Sequence, residues 1–320
     1  MRGGLRRAGW LWSTLAVAVS CVLEVRGAES SEETDSDRYA WIHAVGNGGV
    51  LLKSSDAGRI WAVENIGTVS DLMDVSFVDA RVGVVVGANS SIYHTNNGGL
   101  KWESYNPMAE DFLVTFYGVY INGSPGPIHI VGEKGLFLKT EDGEDWSVSG
   151  ISCDAQDNCE VNTGITKAQW DLSTAQNLYS VRFKDSINGL VVGDNAIVLV
   201  TSDGGESFSL RKPVDVASPA LFALAMDDLG NLAVTGERGV VFHVTPTTTD
   251  ASDAVAFEWK GCSKDGGCTL AVPSTLTDLG RTSNDLLTCS LIEDTIIVGG
   301  VGGYIAKHIE GKWETLQQIE

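Results

Sequence analysis

The sequence predicts an all-β chain, a β-propeller of four-stranded blades. Two observations predict it. A unit of short β-branched strands recurs, with six copies visible; their closing aromatic residues, Trp61, Trp102, Trp146, Phe208, Trp259 and Trp313, stand 41, 44, 62, 51 and 54 residues apart. In several units the third strand runs into a polar glycine turn and then an aromatic residue that opens a fourth strand. One sheet of four short strands cannot bury its own faces, so a period of ~40–50 residues points to sheets stacked radially.

Taken in order, the chain begins with what reads as an address. Arg2, Arg6 and Arg7 precede an apolar run from Trp10 to Val25, and Gly27 and Ala28 offer small residues for cleavage. This is the layout of a secretory signal peptide over residues 1–28. The run is short of the ~20 residues of a membrane span, and an uncleaved anchor is the alternative. Ala18-Val19-Ser20-Cys21 also resembles a bacterial lipobox. Residues 29–38 are Ser/Glu/Asp-rich and read as a disordered lead-in. Residues 39–320 then form one propeller domain, expected as a monomer without a further membrane span.

The clearest units are residues 74–102, DVSFVDARVGVVVGANSSIYHTNNGGLKW, and 180–208, SVRFKDSINGLVVGDNAIVLVTSDGGESF. Each has a strand, an Asp and a turn, a Gly-led apolar strand ending in Val-Gly, and a third strand entering the glycine turn. Looser copies span 41–61, 117–146, 222–242 and 287–313. Insertions fall near 150–177, 244–256 and 261–284. A seventh blade would come from the first insertion or from strands of both termini, since the first unit lacks a first strand before Trp41.

The cysteines fit an oxidising compartment. Cys153 and Cys159 bracket five residues of a polar stretch, and Cys262 and Cys268 repeat that spacing. Two local disulfides are expected; zinc is the alternative, although no His lies near either pair. Cys289 is left over in an apolar strand. Asn89-Ser-Ser and Asn122-Gly-Ser are glycosylation sequons, used only in a host that glycosylates. The secretory pathway is the expected location, secreted or in an organelle lumen, with the thylakoid lumen or periplasm as alternatives.

Four segments approach Ser/Thr-x-Asp-x-Gly-x-x-Trp, the Asp-box. They are Ser54, Asp56, Gly58 and Trp61; Thr95, Asn97, Gly99 and Trp102; Thr201, Asp203, Gly205 and Phe208; and a version one residue shorter, Thr140, Asp142, Gly143 and Trp146. Carboxylate and hydroxyl can accept from turn amides, Gly supplies a positive φ, and the ring packs beneath. The carboxylates are therefore read as turn staples rather than catalytic acids; Asn97 in place of Asp agrees. The whole unit, written here as Val181-Arg-Phe-Lys-Asp185, Gly189-Leu-Val-Val-Gly193 and Thr201-Ser-Asp-Gly-Gly205, resembles the repeat of the photosystem II stability/assembly factor family over most of residues 40–315. That resemblance implies a non-enzymatic propeller, typically seven-bladed, that binds a polypeptide through an arginine-rich surface. Here seven arginines, Arg38, Arg59, Arg81, Arg182, Arg211, Arg238 and Arg281, are spread singly after the leader.

The formal charge of −20, near −23 without the leader, excludes a nucleic-acid binder, which needs a basic face. An acidic surface fits a basic polypeptide partner or serves solubility. Asp-boxes also occur in sialidases, so a glycan-binding or glycoside-hydrolysing propeller is the alternative. A sialidase grips its substrate carboxylate with three arginines, and the usual Arg-Ile-Pro entry motif is absent. His43, His94, His129, His243 and His308 lie singly on or near strands, and no phosphate loop or nucleophile elbow is present. The sequence therefore predicts a scaffold with no catalytic, cofactor or metal residues.

Overall fold

The computed structural model describes residues 17–18, 42–55, 60–108, 112–123, 126–154, 159–167, 169, 175–211, 219–227, 231–246, 257–259, 285–292, 295–301, 304–309 and 312–317. They form six antiparallel sheets. Sheet I holds Val17–Ala18, Ile42–Gly46, Val50–Ser54 and Ala62–Asn65. Sheet II holds Leu72–Phe77, Gly83–Gly87, Ile92–Thr95 and Glu103–Tyr105. Sheet III holds Phe116–Ile121, Ile128–Gly132, Leu136–Thr140, Trp146–Cys153 and Cys159–Thr163. Sheet IV holds Leu178–Phe183, Gly189–Gly193, Val198–Thr201 and Ser209–Arg211. Sheet V holds Leu221–Met226, Leu232–Gly236, Val241–Pro246 and Phe257–Trp259. Sheet VI holds Leu286–Ile292, Thr295–Gly300, Tyr304–Ile309 and Lys312–Gln317.

The cores explain the unusual sequence of the second strands. An antiparallel strand with one wet face alternates apolar and polar residues. Here GVVVG, GLVVG and LAVTG are buried at every position, because these three sheets are covered on both faces by their neighbours. Five separate apolar cores result, one between each pair of consecutive sheets. Leu51 meets Val75 and Phe77, Val86 meets Phe116, Phe137 meets Phe183, Val192 meets Leu224, and Ala233 meets Leu291. The first strands of consecutive sheets pack directly on one another, which makes them the inner strands of a radial array.

Two sequence expectations change. Among the described residues the segment near 150–177 forms no further sheet: it adds a fifth, outermost strand to sheet III. That strand pairs Cys153 with Cys159 across a hairpin, and a disulfide joins them. The first unit does have an inner strand. Val17–Ala18, inside the predicted leader, pairs with Val45 and Gly46. The third strand of sheet V runs to Pro246, into the start of the predicted 244–256 insertion. Residues 247–256 and the whole of 261–284, with Cys262 and Cys268, lie outside the described residues, as do Asp56 and Gly58 of the first Asp-box. No helix among the described residues is long and apolar enough to cross a membrane.

In sheets I to V the hairpins between second and third strands are type I′ turns, whose two central residues both need positive φ. They fall at Gly48-Gly49, Asn89-Ser90, Lys134-Gly135, Asn195-Ala196 and Arg238-Gly239. The sequon residue Asn89 is thus an exposed turn position, and its amide donates to Ser70. Asn122 is tied across to sheet IV by a bond from its amide to the Asp185 carbonyl.

Candidate functional site

Three places in this fold gather polar or aromatic side chains: the Asp-box turns, the inner strands, and the channel mouth, the end of the inner-strand array beside the type I′ turns. At the Asp-box of sheet IV, the Thr201 hydroxyl donates to Asp203 Oδ1 (2.7 Å) and accepts from the Gly205 amide (2.9 Å). The Ser207 amide donates to the same carboxylate at 3.0 Å. In sheet II the Asn97 side-chain oxygen accepts from the Lys101 amide, and in sheet III Asp142 accepts from Glu144 and Asp145. Burial alone would raise the Asp203 carboxyl, but the bonds from Ser207 and Thr201 outweigh it and hold it below the usual range. The amides of Asp145 and Glu144 do the same for Asp142. Both acids stay ionised and occupied, the opposite of a general acid. Asp203→Ala should cost about 1 kcal/mol, the value of a lost capping carboxylate, read from the urea midpoint.

Two of the glycine turns are also gripped by the preceding sheet. Lys53 of sheet I donates to the Gly98 carbonyl of sheet II. Lys139 of sheet III reaches Glu206 of sheet IV at 3.3 Å. Beside these lysines lie the two buried histidines. His43 stacks on Phe77 at 3.9 Å, and His129 on Phe183 at 3.8 Å. The sequence shows them only as scattered strand residues; their shared setting, three residues before a strand-ending Gly and opposite Lys, was the available signal. Neither ring nitrogen of His43 has a hydrogen-bond partner. Burial, then the nearby lysine, lowers His43 to about 4 and His129 to about 3.

These shifts set an acid limit. The unfolded chain binds a proton at each histidine near pH 6.5, whereas the folded chain does so only near 4 and below. Stability is therefore full above pH 6.5 and falls with decreasing pH by about 1.4 kcal/mol per unit for each histidine. Urea unfolding between pH 7 and 4 should show this slope. Changing His43→Val and His129→Leu, the residues at Val84 and Leu190 in the alternate sheets, should flatten it.

The inner strands read LMDVSF, FYGVYI, LYSVRF, LFALAM and LLTCSLI in sheets II to VI. Among them Asp74 is the one carboxylate and Arg182 the one guanidinium. Asp74 accepts from the Val75 amide (2.8 Å) and the Val119 amide of sheet III (3.0 Å). Burial raises its carboxyl, with Arg182 and these amides opposing. Arg182 donates to the Val181 carbonyl at 2.7 Å and lies 5.5 Å from the centre of the Tyr120 ring. Ser180 takes the place of Asp74 in sheet IV and accepts from the Leu224 amide of sheet V. These groups tie one inner strand to the next. Cys289 is a free thiol on the inner strand of sheet VI; burial pushes it up to about 11. No group of three or more His, Cys, Asp or Glu fit to hold a metal occurs among the described residues.

The channel mouth beside the type I′ turns is different. Every inner strand from sheet II to sheet VI skips one residue in its pairing there. Leu72, Phe116, Leu178, Leu221 and Leu286 face the strand-ending glycines, and pairing resumes at Asp74, Gly118, Ser180, Ala223 and Thr288. The bulged residues are Met73, Tyr117, Tyr179, Phe222 and Leu287, all large and apolar or aromatic and all half-buried. A bulge re-aims a side chain out of the ladder. Tyr117 and Tyr179 stand 5.0 Å apart, and Tyr179 and Phe222 5.3 Å, a row of rings across three sheets. Carboxylates border it. The Tyr179 hydroxyl donates to Asp194 (2.8 Å). Burial, then Glu133, pushes Tyr117 up to about 12. Glu237 accepts from the Ala220 amide, Asp285 from the Arg238 amide and Asp71 from the Gly48 amide.

Comparison with known proteins follows from this architecture. A family model described as Photosynthesis system II assembly factor YCF48 matches residues 59–155 and 161–258. The chain is 26% identical over 192 residues to the photosystem II assembly lipoprotein Ycf48 of Synechococcus sp. (strain CC9902), covering 56% of this chain and 50% of that one. It thus spans about half the length of this curated relative. Among solved structures, YCF48 from Cyanidioschyzon merolae aligns with TM-score 0.54 at 17% identity, over 89% of this chain and 83% of that one. The β-propeller domain of Cps50 (Swd1) from Myceliophteria thermophila aligns with TM-score 0.62 at 10% identity, over 94% and 89%. YCF48 bound to D1 peptide aligns at TM-score 0.48 and 19% identity, over 77% and 67%. At these identities the first two structures show a shared β-propeller fold.

Proposed function

We propose, from the premise that this chain belongs to the Photosynthesis system II assembly factor YCF48 family, that it is a non-catalytic β-propeller which holds a polypeptide during assembly of a membrane complex. The observation that carries the reading is the channel mouth: five bulged apolar side chains stand there half-exposed above inner strands with one carboxylate and one guanidinium. Glycoside hydrolysis uses a pair of carboxylates, and Asp74 is tied to backbone amides without a second acid on the inner strands. The Cys153–Cys159 disulfide supports an oxidising compartment. The remaining residues of the sequence reading keep structural roles in this proposal: the Asp-boxes staple turns, and Cys262 and Cys268 form a second disulfide.

The test is affinity capture by the tagged chain from its own membranes, with partners identified by mass spectrometry. A subunit of a membrane complex, released by high salt, is the expected result. Turnover of any glycoside in a substrate panel by the purified chain sinks the non-catalytic reading.

A further inference from the structure

We infer that the ring of bulged side chains is the docking surface for an extended, lysine- or arginine-bearing segment of a partner polypeptide. The inference rests on the polypeptide-binding reading above and names its surface and the partner's chemistry.

The bulges carry the first step. Skipping a residue removes a ladder pair in each of five strands, and the cores do not need it. The adjacent Leu72, Phe116, Leu178, Leu221 and Leu286 already fill the spaces between sheets at 1% exposure or less. The residue following the bulge varies freely, from Asp74 and Ser180 to Gly118 and Ala223, yet the bulged position is always large and apolar. Such side chains placed in repeated register at an opening, rather than in a core, form a contact surface.

Charge selects the occupant. The rim sets Asp71, Glu133, Asp194, Glu237 and Asp285 against Lys134 and Arg238, and Arg238 is already 4.0 Å from Glu237. Asp71, Asp194 and Asp285 accept from neutral hydroxyl or amide donors, which leave their charge uncancelled. Aromatic faces flanked by carboxylates attract ammonium and guanidinium groups and repel anions. The ring row from Tyr117 to Phe222 spans two steps of 5.0 and 5.3 Å, room for roughly three residues of extended chain at ~3.3 Å each.

The probe is a fluorescein-labelled decapeptide of alternating Lys and Ser, with a Glu-for-Lys counterpart, titrated by anisotropy against the full chain. The Lys peptide should bind and the Glu peptide should not, and added salt should weaken binding. The triple variant Glu133→Gln, Asp194→Asn and Glu237→Gln should lose about tenfold in affinity, since each half-buried charge contributes modestly and the three act together. Phe222→Ala should lose a similar factor. A control removes equal charge from two outer strands and an Asp-box turn through Glu103→Gln, Glu160→Gln and Glu141→Gln, and should bind as the parent does. Circular dichroism melts confirm that each variant is folded; if Phe222→Ala melts early, the rim triple variant decides. Equal loss in the two triple variants, or no binding of the Lys peptide, overturns the inference. Capture separates the two readings: native partner retained by the rim variant removes this surface and keeps the scaffold, whereas rim-dependent Lys-peptide binding without any native partner keeps the surface and removes the scaffold.

Discussion

Phe183→Ala should destabilise the chain by about 4 kcal/mol, the cost of emptying a fully buried aromatic site that cannot collapse. Phe183 is 2% exposed in the core between sheets III and IV. Its ring lies over Gly189, where a Cβ would come within 2.6 Å of it, and its other face carries the His129 imidazole at 3.8 Å. Backbone bounds the cavity on one side and a strand histidine on the other, so neither can fill it. A double-mutant cycle with His129→Leu, read from urea midpoints, should return a coupling of about 1 kcal/mol for the stacked pair. Additive losses would mean the rings are neighbours without a specific contact. Phe77, Gly83 and His43 repeat the arrangement between sheets I and II, and Phe77→Ala should behave alike.

Gly193→Ala should cost about 3 kcal/mol through overpacking, although its backbone is ordinary. Gly193 has φ −166°, an extended conformation open to any residue. The obstacle is the Asn177 carbonyl oxygen, 2.1 Å from where a Cβ would stand. That oxygen cannot retreat without losing the 3.0 Å bond it accepts from the Asp194 amide. Gly87 and Gly236 meet the carbonyls of Asp71 and Ala220 at the same 2.1 Å. The close approach comes from the bulge, which draws the start of the inner strand over the end of the second. The Val-Gly ending of the repeat is thus the sequence imprint of the bulged ring. A Gly193→Ala protein as stable as its parent would show that Tyr179 is not held in this geometry.

The two kinds of sheet interface bear on the family match as well. Sheets I/II and III/IV are joined by a stacked histidine and a lysine that grips the next glycine turn. Sheets II/III and IV/V are joined instead by Asp74 or Ser180 capping an inner-strand amide. The alternation makes the repeating unit a pair of sheets, and the matched stretches, 59–155 and 161–258, run in two lengths of that size.

Much of the fold was legible because its determinants are local. Strand boundaries follow β-branched runs closed by Gly, Asn or Asp. Asp79, Asp185 and Asp227 each cap the turn between first and second strands with their own carboxylate, within four residues. The Asp-box bonds are equally local, and the Cys153–Cys159 hairpin closes over six positions. The inner strand of sheet I was not legible, because Val17–Ala18 reads as leader and pairs across a long separation. Nor was the fifth strand of sheet III, where a polar insertion gains its place only through the hairpin's register.

The sequence by itself determined the repeat, its four-strand unit, the stapled turns, the acidic charge and the absence of a convergent arginine set in any one motif. Short-range hydrogen bonds and a two-residue side-chain period write those features directly into residue order. Only the tertiary structure decided which residues face the channel. Met73, Tyr117, Tyr179, Phe222 and Leu287 look like ordinary strand residues one step from the core. A one-residue skip in pairing with the second strand turns them out of it, and packing sheet on sheet then lines up side chains more than forty residues apart into one row.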